Sequence, residues 1–112
     1  MMRVSDDEAR TWSEPVACIT DRKGYFVLNN DRVIQLKNGR LLMAVALHQT
    51  PGENKWHNNA VLYSYYSDDD GKSWTSGSAV PDPDNVVFQE PGVVELKNDN
   101  IMMIIRADAG VQ

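Results

Sequence analysis

Two arginines and one glutamate are the side chains of this chain best suited to chemistry on an anionic ligand. They are Arg32, Glu90 and Arg106. The planar guanidinium group of arginine stays charged and grips a carboxylate through two parallel hydrogen bonds. A carboxylate near an arginine keeps its ionised form, which suits Glu90 to an electrostatic role rather than to proton donation. These residues are therefore candidates for a local cationic site that binds an anion.

Asp31 and His48 are second candidates for the same site, because the hairpin predicted below brings them to the end at which Arg32 stands. The two histidines of the chain, His48 and His57, have no third ligand spaced nearby for a metal ion. The single cysteine, Cys18, is interpreted as a small buried apolar residue rather than a nucleophile. We therefore predict no metal site and no cofactor.

A repeat organises the chain. Residues 93–103 repeat residues 33–43 at an offset of 60 (93 minus 33), and Ser67–Trp74 repeats Ser5–Trp12 at an offset of 62 (67 minus 5). The second pair shares the pattern S-x-D-x-x-x-[S/T]-W, with Ala9 in the place of Gly71. Two independent segments that repeat at nearly one spacing indicate a repeat fold.

The repeating unit is predicted to be β. Asn38-Gly39 is a strong hairpin signal that favours a two-residue type I′ turn, and Asn98-Asp99 has the same place in the later copy. The predicted strands of one unit are Val33–Leu36, Leu41–Leu47, Ala60–Tyr66 and a fourth after Trp74, near Ala79–Val80 or beyond. Four antiparallel strands in about 60 residues are typical of a β-propeller blade.

The predicted turns set the register of both hairpins. The pairs that follow are Leu36 with Leu41, Arg32 with Val45, Asn29 with His48, Leu96 with Ile101, Pro91 with Arg106 and Glu90 with Ala107. Polar residues then gather at the open end of each hairpin, and neighbouring blades run alike, so both clusters should lie on one face. Plain ion pairing at strand ends is the other interpretation of Arg32 and Arg106. Their place at the same end of successive units favours the site.

Composition excludes several classes of protein. The 112 residues carry a net charge of -5, which gives no general attraction for the phosphate backbone, so we predict no nucleic-acid partner. Apolar residues make up 42% of the chain, enough for a core. The longest apolar run, Leu41–Leu47, is too short to span a membrane. The sequence MMRVSDDEAR has no apolar signal-peptide region, and the compartment stays unknown.

Three segments resemble the sialidase-type glycoside hydrolases with BNR repeats. Ser67–Trp74 (SDDDGKSW) matches the Asp box, S-x-D-x-G-x-[S/T]-W, which is characteristic of sialidases and related propellers. Residues 89–106 resemble the segment EP-x-VVEL-x-(D/N)-G-x-LMM-x-x-R of bacterial sialidases, and residues 29–42 resemble the sialidase-type glycoside hydrolases in particular. The resemblance extends from Ser5 to Gly110. It implies propeller blades of four antiparallel strands, about two of them in this chain.

The resemblance also implies retaining hydrolysis of a terminal sugar acid. In sialidases three arginines bind the substrate carboxylate, a tyrosine attacks the anomeric carbon, a glutamate tunes that tyrosine, and an aspartate is the acid/base; the tyrosine departs from the usual pair of carboxylates. Glu90 and Arg106 match the motif, and Arg32 stands at the first-blade arginine, although its motif lacks the proline. Trp56–Asn59 provides no acid where the aspartate would be expected, and no tyrosine here matches the nucleophile.

A full member of this family has about six blades and is roughly three times as long as this chain, so we expect a fragment. The predicted segments are 5–30 (the end of one blade, with a degenerate Asp box), 31–88 (one full blade, with the Asp box at 67–74) and 89–112 (the first half of the next). A chain of about two blades buries a continuous core only when its blades stack on further blades. A homo-oligomer that closes a ring through exposed blade edges is therefore an alternative to the fragment.

Several alternatives stay open. The Asp box is interpreted as structural: Asp69 accepts backbone N–H groups, Gly71 takes a positive φ, and Trp74 packs under the turn, which Ser67 opens. Trp56 either stacks on a sugar or covers the core. The expected partner is a glycan or sugar-acid substrate, and the isolated chain, a fragment of a glycosidase, is expected to be inactive. The rival function is a non-catalytic carbohydrate-binding or scaffold propeller.

Overall fold

The structure, a computed structural model, describes residues 1–29 and 31–108. It contains seven strands and no helix over these residues, which confirms the all-β prediction. The strands are β1 (Tyr25–Val27), β2 (Val33–Gln35), β3 (Leu41–Gln49), β4 (Val61–Ser67), β5 (Thr75–Ser76), β6 (Val87–Glu95) and β7 (Ile101–Asp108). Over the same residues there is accordingly no helix that could cross a membrane. Asn30 and residues 109–112, which belong to the predicted first and last segments, lie outside the described residues.

β3 is the central strand of an antiparallel sheet that is four strands wide. β4 pairs with one edge of β3, β1 and β2 pair in tandem with its other edge, and β5 lies beyond β4. All residues of β3 from Leu42 to His48 are buried. A continuous apolar run is the pattern of a strand that is covered on both faces.

The two faces of this sheet bury two separate cores, because successive side chains of a strand point to opposite sides. One core consists of Met43, Val45 and Tyr65, packed against Cys18, Ile19, Phe26, Tyr63 and Trp74. The other consists of Ala46, Ala60 and Leu62, packed against Val27, Val80, Phe88, Met103 and Ile105. The sheet is thus held between the N-terminal segment and the β6–β7 hairpin.

The edge strand next to β3 is interrupted, which the sequence does not predict. Val27 of β1 pairs with Ala46, whereas Val33 of β2 pairs with Met43. The chain between β1 and β2 is longer than the part of β3 that it spans, and it contains Asp31, whose φ is +53°. This excess length frees Arg32 from the hydrogen-bonded ladder and lets its side chain reach the second hairpin.

Both hairpins close with three-residue loops rather than with the predicted type I′ turns. The N–H of Leu36 donates to the carbonyl of Arg40 (2.8 Å), and the N–H of Gly39 donates to the carbonyl of Leu36 (2.9 Å). A type I′ turn requires positive φ at both central residues. Here Gly39 (φ +91°) alone takes that conformation in its loop, as Asp99 (φ +64°) does in the second.

The longer loops make the predicted register wrong by one residue in both hairpins. The observed pairs are Gln35 with Leu41, Glu95 with Ile101 and, beyond a bulge in β6, Gln89 with Arg106 and Phe88 with Ala107. Pro91 and Glu90 therefore do not face Arg106 and Ala107 as predicted. Within the described strands, the expected pairing of Arg32 with Val45 is also wrong, because Val45 lies between the segments paired with β1 and β2.

The two hairpins nevertheless lie side by side with their turns adjacent, as expected for neighbouring blades. The backbone N–H of Lys37 donates to Glu95 Oε2 (2.8 Å), and its ammonium group donates to Asp99 Oδ1 (2.9 Å). Contacts between the two turns align the hairpins, so their open ends also lie close together.

The fourth strand of the sheet begins immediately after Trp74. β5 has two residues, which pair with Tyr65 and Tyr66. Further along, the N–H groups of Gly77 and Val80 donate to carbonyls of β4 (2.8 and 2.9 Å). The strand is therefore a short edge, which protects the sheet against uncontrolled pairing with another chain.

The turn between β4 and β5 is stabilised by its own side chains. The hydroxyl of Ser67 donates to Asp69 Oδ1 (2.7 Å) and accepts the N–H of Gly71 (2.8 Å), while Asp69 accepts both the N–H (2.8 Å) and the hydroxyl (2.5 Å) of Ser73. Gly71 has φ +84°, and the Trp74 indole donates to its carbonyl (3.1 Å). These contacts support the structural interpretation of the motif.

The degenerate copy near the N-terminus forms the same turn. Asp7 accepts the N–H (2.9 Å) and the hydroxyl (2.6 Å) of Thr11, and the Ser5 hydroxyl accepts the N–H of Ala9 (2.8 Å). Ala9 adopts φ +67°, a conformation that costs an alanine roughly 1 kcal/mol. Trp12 remains 56% exposed, unlike the half-buried Trp74.

Acid should weaken both turns. Hydrogen bonds from the hydroxyl and N–H of Thr11 or Ser73, and then from the preceding serine, lower the pKa of Asp7 and of Asp69 from 3.8 to about 2. Because the folded-state pKa lies below the unfolded value, this contribution to stability is present above pH about 4 and is lost as the pH falls through about 2. Urea unfolding midpoints should fall steeply across this interval, and less steeply for Asp69→Asn. An equal pH dependence in that variant would contradict the assignment.

Candidate functional site

The candidate site lies where the start of β2 meets a bulge in β6. Nη1 of Arg32 lies so close to the backbone of Gly92 that a Cβ atom at this position would overlap it. Gly92 is buried, as is the preceding Pro91. A Cβ atom here would have to displace the end of the Arg32 side chain, so glycine permits this close approach. Arg32 thus contacts the β6–β7 hairpin directly.

Glu90 lies in the bulge that interrupts β6. The register shifts between Gln89 and Gly92, and Glu90 has φ +48°. A non-glycine residue in this conformation stores backbone strain of about 1 kcal/mol, which is tolerated where a side chain must be aimed. The carboxylate of Glu90 lies 3.3 Å from Nη1 of Arg106, and both side chains are solvent-accessible.

Asp31 completes this group of charges. Its carboxylate is 3.9 Å from Nε of Arg32, and its side chain is 93% exposed. An open cavity of about 310 Å³ adjoins Arg32 and is lined further by Asp31, Ile34, Gly92, Val93, Val94 and Ile104. The structure thus places Asp31 and Arg32 against Gly92, and the ion pair of Glu90 and Arg106 at the bulge that begins two residues before this glycine.

The chemistry available to this group is the binding of an anion beside a carboxylate. Two guanidinium groups present planar donors that suit a carboxylate ligand. The ion pair between Glu90 and Arg106 is exposed and therefore weak, so a ligand carboxylate can compete for Arg106 at small cost. The negative charges of Asp31 and Glu90 confine the positive potential to the two guanidinium groups.

His48 is placed differently from the other candidates. Only 5% of it is exposed, its Nδ1 is 2.7 Å from the carbonyl of His57, and its ring is stacked on Trp56 with 4.1 Å between centroids. Among the described residues, no hydrogen bond or ion pair joins it to Arg32, Glu90 or Arg106. The contacts of His48 anchor the loop after β3. The sequence does not reveal this role, because it shows only that His48 stands next to a polar loop.

The loop before β4 carries amides at the place where an acid would be expected. Asn59 donates to Asp82 Oδ2 (3.3 Å) and accepts the N–H of Phe88 (3.1 Å), while the carbonyl of Asn58 accepts the amide of Gln89 (3.1 Å). These bonds fasten the loop to β6 beside Glu90. Asp82 is a neighbour that the sequence does not single out, since it comes from a different loop.

Glu53 is the one carboxylate within residues 50–60. It accepts the N–H of Thr50 (2.5 Å) and lies 3.2 Å from Nε2 of His57. The bond from the backbone of Thr50, with smaller contributions from the threonine side chain and His57, lowers the pKa of Glu53. An ionised, engaged carboxylate of this kind is poorly suited to donate a proton.

Two potential nucleophiles are held in unreactive surroundings. Burial, and donation of its hydroxyl to Asp21 (2.8 Å), raise the pKa of Tyr65, which is 1% exposed. Burial also raises the pKa of Cys18, as expected for a cysteine that packs on the core. In the described residues no three His, Cys, Asp or Glu side chains lie together so that they could hold a metal ion.

Comparison with known proteins places this geometry in context. The profile of the BNR repeat-like domain matches residues 1–112. A protein named sialidase from Paraclostridium sordellii is 27% identical over 113 aligned residues, which cover 88% of this chain and 27% of that protein. The chain thus spans about a quarter of the length of that relative. No solved structure matches it at a comparable level of significance.

Proposed function

This chain belongs to the BNR repeat-like domain family, and we propose that it contributes part of the ligand-binding face of a sialidase-like glycoside hydrolase. The proposed substrate is a glycan that ends in an acidic sugar, which the enzyme would remove from the chain end. Domains of this family are of the β-propeller type, and the four-strand-wide sheet around β3 is one blade.

One observation carries the proposal: Arg32 of one repeat reaches the hairpin of the next, which also carries the ion pair of Glu90 and Arg106. Arg32 reaches Gly92 across the boundary between the repeats, and Arg106 is held beside Glu90 on the same hairpin. An acidic chain can bind an anionic sugar only through such a local concentration of guanidinium groups. The name of the relative from Paraclostridium sordellii agrees with this substrate class.

The proposed role of Glu90 is electrostatic. Its strained backbone conformation aims the carboxylate at Arg106. In a sialidase-like reaction a fixed negative charge at this place would stabilise the positive charge that develops at the anomeric carbon. Asp31 would orient Arg32, while His48 would support the loop after β3 without touching the sugar.

The chain by itself is expected to bind a sugar acid without hydrolysing glycosides. No tyrosine here matches the nucleophile, and amides occupy the place of the acid/base. We expect N-acetylneuraminic acid to shift the NMR signals of Arg32 and Arg106 side chains, while aryl sialosides stay intact. Measurable release of the aryl group would contradict the expected inactivity, and the absence of any shift at millimolar sugar acid would contradict the binding site.

A non-catalytic carbohydrate-binding propeller is the second candidate, and Asn58 and Asn59 favour it. The side-chain oxygen of Asn59 accepts the N–H of Phe88, and the backbone carbonyl of Asn58 accepts the amide of Gln89, so both residues are fixed in the loop from which an acid would act. An assay with aryl sialosides distinguishes the two functions. It uses a protein that carries this segment together with further blades and measures turnover. Binding with no turnover in that protein would favour the second candidate.

A further inference from the structure

Two residues just before β4 bind the backbone of β6 across the boundary between the repeats. The N–H of Phe88 donates to Oδ1 of Asn59 (3.1 Å), and the carbonyl of Phe88 accepts the N–H of Ala60 (3.0 Å). Asn59 thus provides a side-chain carbonyl where a neighbouring strand would offer a backbone carbonyl. Both backbone groups of Phe88 are satisfied in this way, and β4 is joined to β6 although the two strands belong to different sheets.

The amide of Asn59 has its orientation fixed by partners of opposite kind. Its oxygen meets the N–H of Phe88, which can only donate, and its nitrogen donates to Oδ2 of Asp82 (3.3 Å), which as a carboxylate can only accept. The same nitrogen lies 3.5 Å from Oδ1 of Asn85. Oδ1 of Asp82 accepts the N–H of Val86 (2.8 Å), which holds the carboxylate in place. Exchange of the amide oxygen and nitrogen would therefore break the bonds of Asn59 to both Phe88 and Asp82.

The part of β6 that Asn59 binds is the short arm before the bulge, residues 87–89. Gln89 ends this arm and pairs with Arg106 of β7, and its amide donates to the carbonyl of Asn58 (3.1 Å). Glu90 follows directly and forms the ion pair with Arg106 (3.3 Å). The contacts that hold the arm thus set the positions of both partners of this ion pair.

The bulge depends on such support because its own backbone is strained. Glu90 has φ +48°, and the next residue is Pro91. A residue before proline favours extended backbone, and the left-handed conformation is itself unfavourable for a residue other than glycine. Pro91 also lacks an N–H that could bond to the opposite strand. The pairing from Gly92 onward holds the bulge on one side, and the arm with its bonds to Asn59 holds it on the other.

We propose that Asn59, oriented by Asp82, is a positioning residue that holds the arm of β6 and thereby keeps Glu90 and Arg106 in the arrangement that binds an anion. The inference rests on the proposed function in one respect, namely that the anion is a sugar acid. The role also gives a physical reason for an amide at this position. An aspartate at position 59 would place two carboxylates at the ends of what is now a 3.3 Å hydrogen bond, and like charges repel each other.

A reciprocal exchange tests the pair. Asn59→Ala removes the acceptor of the Phe88 N–H, and Asn59→Asp sets a carboxylate against Asp82. Each should raise the hydrogen-exchange rate of the Phe88 N–H about fivefold or more, the factor that one hydrogen bond contributes. Asn59→Asp combined with Asp82→Asn restores both bonds with donor and acceptor exchanged and keeps the net charge, so the rate should return to within about twofold of the original. An unchanged rate in both single variants overturns the inference, as does a folded double variant without recovery.

Ligand binding and the NMR signals of the ion pair separate positioning from plain stability. With N-acetylneuraminic acid as the probe, both single variants should bind about fivefold more weakly, and the double variant should bind as the unmodified chain does. The signals of the Glu90 carboxylate and of Nε of Arg106 should shift in the single variants. The carboxylate signal of Glu95, at the far end of the same strand, should not shift. If Glu90 and Arg106 keep their signals in folded single variants, the inference is overturned.

Asn98→Ala is the matched control. Asn98 lies in the turn at the other end of the β6–β7 hairpin, where its Oδ1 accepts the N–H of Asn100 (3.3 Å). Loss of this amide should change neither the exchange of the Phe88 N–H nor the binding of the sugar acid. Effects equal to those of Asn59→Ala would come from a general weakening of the hairpin and would overturn the inference.

A measurement on the unmodified chain guards against variants that fail to fold. NMR couplings across hydrogen bonds should connect the backbone nitrogen of Phe88 with the side-chain carbonyl carbon of Asn59, and the nitrogen of Ala60 with the backbone carbonyl carbon of Phe88. Detection of the second coupling without the first overturns the inference. If the sugar acid does not bind the unmodified chain while the couplings and the shifts at Glu90 are as expected, the proposed function fails and the positioning role stands, so the two failures are distinguishable.

Discussion

Replacing Arg106 by methionine is expected to lower the affinity for N-acetylneuraminic acid by about 100-fold. Methionine keeps much of the length of the side chain but removes the guanidinium group that would form two charged hydrogen bonds to the sugar carboxylate. Such a pair of bonds contributes about 3 kcal/mol, which corresponds to this factor. Isothermal titration calorimetry with the sugar acid measures the change directly.

The folded state should tolerate this substitution. Arg106 is accessible and forms an exposed ion pair with Glu90, so the free energy of unfolding should change by less than about 1 kcal/mol. Arg10→Met is the matched control, since it removes the same charge from an exposed arginine in another turn. If both variants weakened binding equally, net charge rather than the site would explain the effect.

Glu90→Gln separates the two partners of the ion pair. The neutral amide no longer competes for Arg106, so the sugar acid should bind at least as tightly as before. In a protein with further blades that turns over sialosides, the same substitution should slow turnover, because the fixed negative charge is gone. Weaker binding of the sugar acid to the chain would assign Glu90 to direct ligand contact instead.

Replacing Leu62 by alanine should lower the free energy of unfolding by about 3 kcal/mol. Leu62 is fully buried between β3 and the β6–β7 hairpin, and removal of its side-chain atoms leaves a cavity in the core that joins the two repeats. For a chain of this size, the midpoint of thermal unfolding should fall by roughly 10 to 20 °C. Circular dichroism or calorimetry tests this.

Ile104→Ala is the matched control for this core substitution. Ile104 lies on the outer face of β7 and is 62% exposed, so its loss should cost less than about 1 kcal/mol. A cost close to that of Leu62→Ala would mean that a second copy of the chain covers this face in solution. Light scattering would then have to show a discrete oligomer.

The β-strands were predictable because they depend on local pattern. The unbroken apolar run from Leu41 to Leu47 marks a strand that is buried on both faces, and β3 is that strand. Ala60–Tyr66 predicts β4 to within one residue at each end. β1 is not predictable in this way, because its three residues pair only with the far end of β3.

The turn at Asn38-Gly39 shows why the sequence did not predict the register of the hairpins. Glycine suits the second residue of a type I′ turn and also the left-handed residue that ends a three-residue loop. A type I′ turn would place Asn38 at positive φ, whereas the three-residue loop does not, and asparagine tolerates both conformations. One additional loop residue moved the predicted pairs by one residue, and the bulge in β6 moved the residue that faces Arg106 by one more, from Pro91 to Gln89.

The sequence alone determined the repeat, the all-β fold and the hairpins, and it singled out the four charged residues of the candidate site. These features follow from residue types at fixed spacing along the chain. Tertiary structure decided the contact of Arg32 with Gly92, the bulge that displays Glu90, and the burial of His48 beneath Trp56. These depend on how segments far apart in the chain pack together, since each contact joins a side chain to a partner whose position no local pattern specifies.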